Sequence, residues 1–332
     1  MKKRVFALLQ AFVLLTAASA CGSSDTENSG LQAVENPKVI TMATGDPTGS
    51  YYAFGNLLGG YMGEASGTNI SVISTEGSAA NIAYVNDGLS QLGMAQSDIM
   101  AYAWDGDHSF AEKGQMQNFR ALGGLYEEAV QIVTLDESIE TVADLKGRVV
   151  SVGAEDSGVY FNALDILHAY GITEEEIDAE YLTFGEAVAA MKAGDVDAAF
   201  MVSGAPTNAI ANLTEQYDVH LVSIEGKEAE NLIEEHPYYN KYVVLAGTYE
   251  GLDRDVTTIS VQATMIVSAD LSEEDVYNLT AGIFENTESI SAILTRGIDM
   301  STENGTTGIS VPFHKGAAKY FAEKGFTVSA ES

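Results

Sequence analysis

Four short segments concentrate the residues able to hold a small ligand. They are Gly45-Asp-Pro-Thr-Gly-Ser-Tyr-Tyr52, Thr75-Glu-Gly-Ser78, Glu155-Asp-Ser-Gly158 and Ser203-Gly-Ala-Pro206. Each follows a predicted strand and opens a predicted helix. Glycine lets backbone approach a ligand closely, and Ser or Thr adds a hydroxyl that donates and accepts. The free N–H groups at a helix start favour an anion. Four such ends facing one another would hold carboxylates without an arginine. The same residues also serve as ordinary caps and turns, so the case for binding rests on the four together.

The remaining chemistry argues against catalysis. Gly49 is followed by Ser50 and Tyr51 rather than by Lys and Ser or Thr, so the first segment is not a phosphate loop. Tyr51 and Tyr52 start the next helix about 100° apart, so at most one faces a ligand squarely while the other packs, and the alternative is that both are core. No Ser sits in a nucleophile elbow. His108, His168, His220, His236 and His314 include no pair at metal-ligand spacing. His314 reads as a structural or surface residue. The acids are too many for one acid–base couple to stand out. Arg120 opens a strand and is the arginine weighed for a ligand contact. No enzyme activity, cofactor or metal is expected.

The elements that position these segments alternate. Strands are predicted over 38–44, 69–74, 91–95, 129–134, 149–153, 181–184, 198–202 and 219–224. Helices are predicted over 51–63, 78–87, from 97, 158–170, 186–193 and 207–217. Such alternation implies βαβ units and parallel sheets. The units are too many for one small sheet but suit two. In open α/β sheets ligands collect at the carboxyl ends of strands, and two such sheets face to face make a cleft.

The 332 residues suit two domains or one large one, and 46% hydrophobic residues are enough for a core. With 16 basic against 48 acidic residues the formal charge is −32, which argues against a nucleic-acid partner. The single Cys excludes an internal disulfide and any multi-thiolate metal site. Met1-Lys-Lys-Arg4 is basic, Val5 to Ala18 is almost wholly apolar, and Ala18-Ser-Ala-Cys21 follows. This describes a secretory signal over 1–20. The Ala-Ser-Ala-Cys junction resembles a bacterial lipobox, although Ala18 stands where Leu is usual. The resemblance implies that Cys21 is lipidated and becomes the mature N-terminus. Residues 21–37 then form a flexible tether. Removing 1–20 takes Lys2, Lys3 and Arg4 and no acid, which leaves −35 on the side chains.

The order of motifs from about Val39 to Phe326 resembles the TAXI family of extracytoplasmic solute-binding proteins, the receptor subunits of a class of tripartite ATP-independent (TRAP) transporters. Its markers here are Thr44–Gly55, Ser74–Asn81, Gly93-Met-Ala-Gln-Ser-Asp98, Asp144–Gly153, Ser157-Gly158, Ala246-Gly-Thr-Tyr249, Val311–Ala317 and Tyr320–Gly325. The resemblance implies an α/β, type II periplasmic-binding-protein fold: two α/β lobes, a two-stranded hinge and a ligand in the central cleft. Lobe 1 is expected over 38–128 plus 258–332 and lobe 2 over 129–257. Ligand contacts implied by the motifs are Tyr52, Thr75, Gly77, Ser78, Gln96, Ser157, Gly158, Val159, Ser203 and Gly204. Three positions depart from the family pattern: Ala53 where Pro is usual, Ala80 where Glu is usual and Val159 where Thr is frequent. The implied ligand is a small organic anion or amino acid, glutamate-like or a dicarboxylate, delivered to TRAP permease subunits in the membrane. A monomer held to the membrane through its lipid is expected. The alternative is a sensory lipoprotein that passes its closed state to a membrane receptor.

Overall fold

The computed structural model of the chain describes residues 38–236, 238–293 and 300–330. The expected signal and the whole of the tether, Cys21 included, lie outside the described residues. Three βα units come first: β1 (Val39–Ala43), α1 (Ser50–Ser66), β2 (Asn69–Ile73), α2 (Ser78–Asn86), β3 (Leu92–Gln96) and α3 (Ser97–Asp105). The long strand β4 (Phe119–Thr134) follows. Next come β5 (Val149–Ser151), α4 (Gly158–Ala169), β6 (Asp178–Glu180), α5 (Phe184–Ala193), β7 (Ala198–Ser203), α6 (Asn208–Thr214), β8 (His220–Val222), α7 (Lys227–Glu235) and β9 (Asn240–Val244). A second long strand, β10 (Val256–Ser268), leads to α8 (Glu273–Phe284), α9 (Thr287–Ile293) and α10 (Lys315–Glu323).

The strands form one continuous sheet in the order β2-β1-β3-β10-β4-β7-β5-β6, with β8 beside β4 and β9 beside β10. β1 pairs in parallel with β2 and β3, and β5 pairs in parallel with β6 and β7. The two long strands join these parallel ends. β4 runs antiparallel to β10 from Phe119 opposite Ser268 to Ala129 opposite Ser260. From Ala129 to Thr134 it pairs with β7 instead. Every residue of β4 is buried except Glu127, which fits a strand covered on both faces.

The cores follow this division. One cluster takes side chains from β1, α1, α2, β3, α3, α8 and α10, from β4 up to Tyr126, and from β10 at 263–267. Beyond Ala129 the two faces of β4 feed different clusters. Val130 and Ile132 pack with α4 and α7, while Ala129 and Val133 pack with α5 and α6. This is the two-residue period of a strand with helices on both sides. Phe161 of α4 crosses over to the first cluster, where it stacks on Phe110 at 6.1 Å.

Four expectations are corrected. The strands expected in two facing sheets lie in one continuous sheet, because β4 and β10 are long enough to run through both parallel ends. Tyr181–Phe184 is not a strand: β6 ends at Glu180, and Thr183 caps α5. The Thr183 and Glu186 side chains each bond the other's backbone N–H, a reciprocal box that fixes a helix start there. The strand read from 129 begins ten residues earlier, because Arg120 to Glu128 continue into it and pair with β10. Arg120 holds no ligand position. Its guanidinium lies 5.2 Å over Trp104 and donates to Gln117 O and Phe119 O, each at 2.7 Å. His314 is structural: Nδ1 accepts from Gly316 N at 3.2 Å and caps α10. Burial pushes its pKa down.

Candidate functional site

The carboxyl ends of the parallel strands meet around a cavity of about 520 Å³, its mouth included. From the first half of the sheet, the β1–α1 loop supplies Gly45, Asp46, Gly49, Ser50 and Tyr51. The β2–α2 loop supplies Glu76, Gly77 and Ser78, β3 ends in Gln96, and β4 contributes Glu128. From the second half come Gly153, Ala154 and Ser157–Val159 before and at the start of α4, Leu182–Phe184 before α5, and Val202 and Ser203 of β7. Five helices therefore have their N-terminal caps at this cavity: α1, α2, α3, α4 and α5. Gly49 and Gly77 cap α1 and α2 without a side chain, whereas the Ser157 hydroxyl caps α4 by accepting from Tyr160 N at 3.2 Å.

The two sets of loops touch. Ser50 Oγ and Ser203 Oγ are 2.6 Å apart, and Ser50 N donates to Ser203 Oγ at 3.3 Å. Ala80 N donates to Asp156 O at 3.1 Å, and Ala209 N donates to Thr48 O at 3.2 Å. A Lys113–Asp156 ion pair at 3.2 Å lies on the surface. Gly77 has φ +124°, and a Cβ there would lie 3.6 Å from Ser157 Cα. Backbone meets backbone here without an intervening side chain, which is the arrangement glycine permits.

The polar side chains of the cavity are unevenly charged. Asp46, Glu76 and Glu128 line it, and no Lys, Arg or His is among its described lining. The Asp46 carboxylate takes Thr48 N at 2.7 Å and Thr48 Oγ1 at 2.5 Å, a local turn. Glu128 is only 2% exposed, and Tyr51 donates its phenol to Glu128 Oε2 at 2.7 Å. Burial holds the Glu128 carboxyl well above the usual carboxylate range, and the Asp98 charge adds to this. Burial and the facing carboxylate push the Tyr51 phenol up as well. Gln96 N donates to Ser78 Oγ at 3.1 Å, while Gln96 Oε1 is buried with no hydrogen-bond partner among the described residues.

Of the residues named from sequence motifs, Gly77, Ser78, Gln96, Ser157, Gly158, Val159 and Ser203 line the cavity. Tyr52, Thr75 and Gly204 do not. Tyr51 takes the inward position, and Tyr52 sits one residue further round the helix, half-buried. The Thr75 hydroxyl is spent on the fold: it lies 3.0 Å from Thr44 O and 2.5 Å from Asn81 Oδ1. Gly204 packs behind the wall, where a Cβ would meet the Tyr126 ring at 3.3 Å. Glu128 and the segment 182–184 are not named from the sequence, and Tyr51 stands there only beside Tyr52, as a pair with room for one toward the ligand. A signal existed for Glu128: it shares the parity of Val130 and Ile132, the buried apolar face of the same strand.

Among the described residues no helix is long and apolar enough to cross a membrane, and no group of three or more His, Cys, Asp or Glu is placed to hold a metal. Two long strands joining two parallel ends, with the cavity at their carboxyl ends, define the α/β fold of type II periplasmic binding proteins. Residues 42–325 match the NMT1-like family, and the chain belongs to it. Among solved structures it is similar to a protein of Bordetella bronchiseptica RB50, 15% identical over 79% of this chain and 77% of that one, with a TM-score of 0.53. It also matches the periplasmic aliphatic sulphonate binding protein SsuA of Escherichia coli (16% identity, 77% of each chain, TM-score 0.43). A third match is the GluR0 ligand-binding core of Nostoc punctiforme in complex with L-glutamate (16% identity, 77% of this chain and 97% of that one, TM-score 0.46).

Proposed function

We propose that the chain is an extracytoplasmic, lipid-anchored solute-binding protein of a TAXI-type TRAP transporter. It captures a small carboxylate or amino acid and delivers it to a membrane permease, without chemical change to the ligand. The observation that carries this reading is the cavity itself, built from the loops at the carboxyl ends of both halves of the sheet. The two halves act as lobes, 38–128 plus 258–332 and 129–257, hinged on β4 and β10. The separate cores on either side of Ala129 support that division.

In this mechanism the open cleft admits the ligand from solvent. Its carboxylate meets the first-turn N–H groups of α2 and α4 and the hydroxyl of Ser78, while the Ser157 hydroxyl holds the start of α4 in place by donating to Ala154 O and accepting from Tyr160 N. Helix ends suit the task because they carry no countercharge that must be desolvated. Closure then brings Ser50 to Ser203 and Ala80 N to Asp156 O, the contacts described above. A ligand shifts the lobes only as far as it prefers the closed state over the open one. Lipidated Cys21 and the residues that follow it keep the body beside the membrane.

A thermal-shift screen with amino acids and organic acids tests the reading. A ligand specific to this site, present at 100 times its dissociation constant, adds about 2.7 kcal/mol of stability. Stabilisation by one or more carboxylates supports the proposal. Stabilisation confined to neutral sugars contradicts it.

A further inference from the structure

We propose that the ligand carries an ammonium group held by Glu128, so that the site selects an amino acid over the corresponding oxo acid. The inference deepens the solute-binding reading and rests on it. The polar inventory of the cavity motivates it. Helix ends and hydroxyls answer one carboxylate, but every ionisable side chain of the described lining other than the Tyr51 phenol is an acid. A ligand that brought only negative charge would press it against Glu128.

Glu128 is placed for a cation. Its side chain is buried at the floor of the cavity, where β4 passes from one half of the sheet to the other. Tyr51 supplies one donor, to Oε2. Among the described residues no donor reaches Oε1. A carboxylate has about four lone-pair sites, and a buried one left short of donors is costly. An ammonium brings three donors and the missing charge, and charge-assisted bonds of this kind are the strong ones. The groups facing Glu128 from the surrounding elements do not supply a cation. They are Tyr51 from α1, Asp98 from α3 and Tyr126 on its own strand, and the other ionisable groups of the described lining, Asp46 and Glu76, are acids. The upward push on the Glu128 carboxyl describes the same deficit: the charged form has no partner until a cation arrives.

The other acids differ from Glu128. Asp46 is already engaged by Thr48, and Glu76 is exposed, so neither makes a desolvated cation site. The ligand this predicts has its carboxylate toward the starts of α2 and α4 and its ammonium toward β4, an α-amino acid or a close relative.

Calorimetric titration of the intact protein with paired probes tests this, each α-amino acid against its 2-oxo acid, for example L-glutamate against 2-oxoglutarate. The expected result is that at least one amino acid binds and its oxo acid binds at least tenfold more weakly. In Glu128→Gln that preference collapses to within threefold, while the unliganded protein melts no lower than the parent. An oxo acid that binds as tightly as its amino acid, or an unchanged preference in Glu128→Gln, overturns the inference and leaves solute binding standing. Absence of binding by every amino acid and oxo acid overturns the inference, and absence of binding by every other organic acid as well overturns solute binding with it.

Discussion

Replacing Gly158 with alanine separates closure of the cleft from stability of the fold. Gly158 is the first residue of α4, and its backbone is not left-handed, so alanine fits the local conformation. A methyl there would overlap Gln96 Oε1, and it would lie 2.5 Å from Gln96 Cδ and 2.9 Å from Ser78 Oγ. Ordinary carbon contacts need about 3.5–4.0 Å. The shortfall is therefore close to an ångström or more against two residues of the opposite half. Gln96 is 3% exposed, and the open space beside it is the cavity it lines, so the methyl drives its amide into the volume a ligand would take. Forcing a methylene into such packing costs about 1–3 kcal/mol. In the open form the methyl meets solvent, and exchanging Gly for Ala in a helix changes stability by roughly 1 kcal/mol at most, in the favourable direction. The penalty thus falls on the closed state alone. Calorimetric titration with the tightest carboxylate found by screening should show binding about 5- to 150-fold weaker in Gly158→Ala. The unliganded melting temperature should stay level or rise. Affinity within twofold of the parent, or a clear drop in unliganded stability, would refute the argument that these contacts form on closure.

Three further outcomes follow from the same structure. Asp98 is fully buried, donated to by Asn162 Nδ2 at 2.7 Å, and burial pushes its carboxyl from 3.8 up to about 7. A raised carboxyl binds its proton more tightly when folded, so its contribution is complete below pH 4 and is lost as pH rises through 7. The loss is on the order of 4 kcal/mol for a shift of this size. Asp98→Asn should therefore gain on the parent in melting temperature as pH goes from 4 to 8; a constant gap would contradict the assignment. Ser157→Ala removes the α4 cap, costing about 0.5–2 kcal/mol in chemical denaturation, and weakens carboxylate binding because the hydroxyl, bonded to Ala154 O and Tyr160 N, fixes the helix start that lines the cavity. Cys21→Ala should release the protein from the membrane fraction on ultracentrifugation, and retention there would rule out the lipid as the anchor.

Local signals made the βα alternation readable. Strand 39–43, the glycines before α1 and α2 and the Ser157 cap are each written within a few residues of where they act. The misread segment 181–184 shows the limit of that reading. Its Tyr-Leu-Thr-Phe pattern alternates like a strand, but the Thr183–Glu186 box, three residues apart, decides for a helix start. The placement of β10 was not legible, because it slots between β3 and β4 from more than a hundred residues away. Glu128 was missed for the same reason. Inside an apolar run a glutamate reads as a surface charge, and its partner Tyr51 is 77 positions earlier. Motif comparison reached seven of the residues that line the cavity, but it chose Tyr52 over Tyr51, since adjacent positions on a helix differ only in which way the core turns them.

The central claim is that a small carboxylate or amino acid draws two lobes together around this cavity. Small-angle X-ray scattering on the protein, with and without a saturating ligand already shown to bind by calorimetry, tests it most directly. The account predicts that the radius of gyration falls on binding and that Gly158→Ala blunts the fall. An unchanged radius with the site demonstrably full would contradict it.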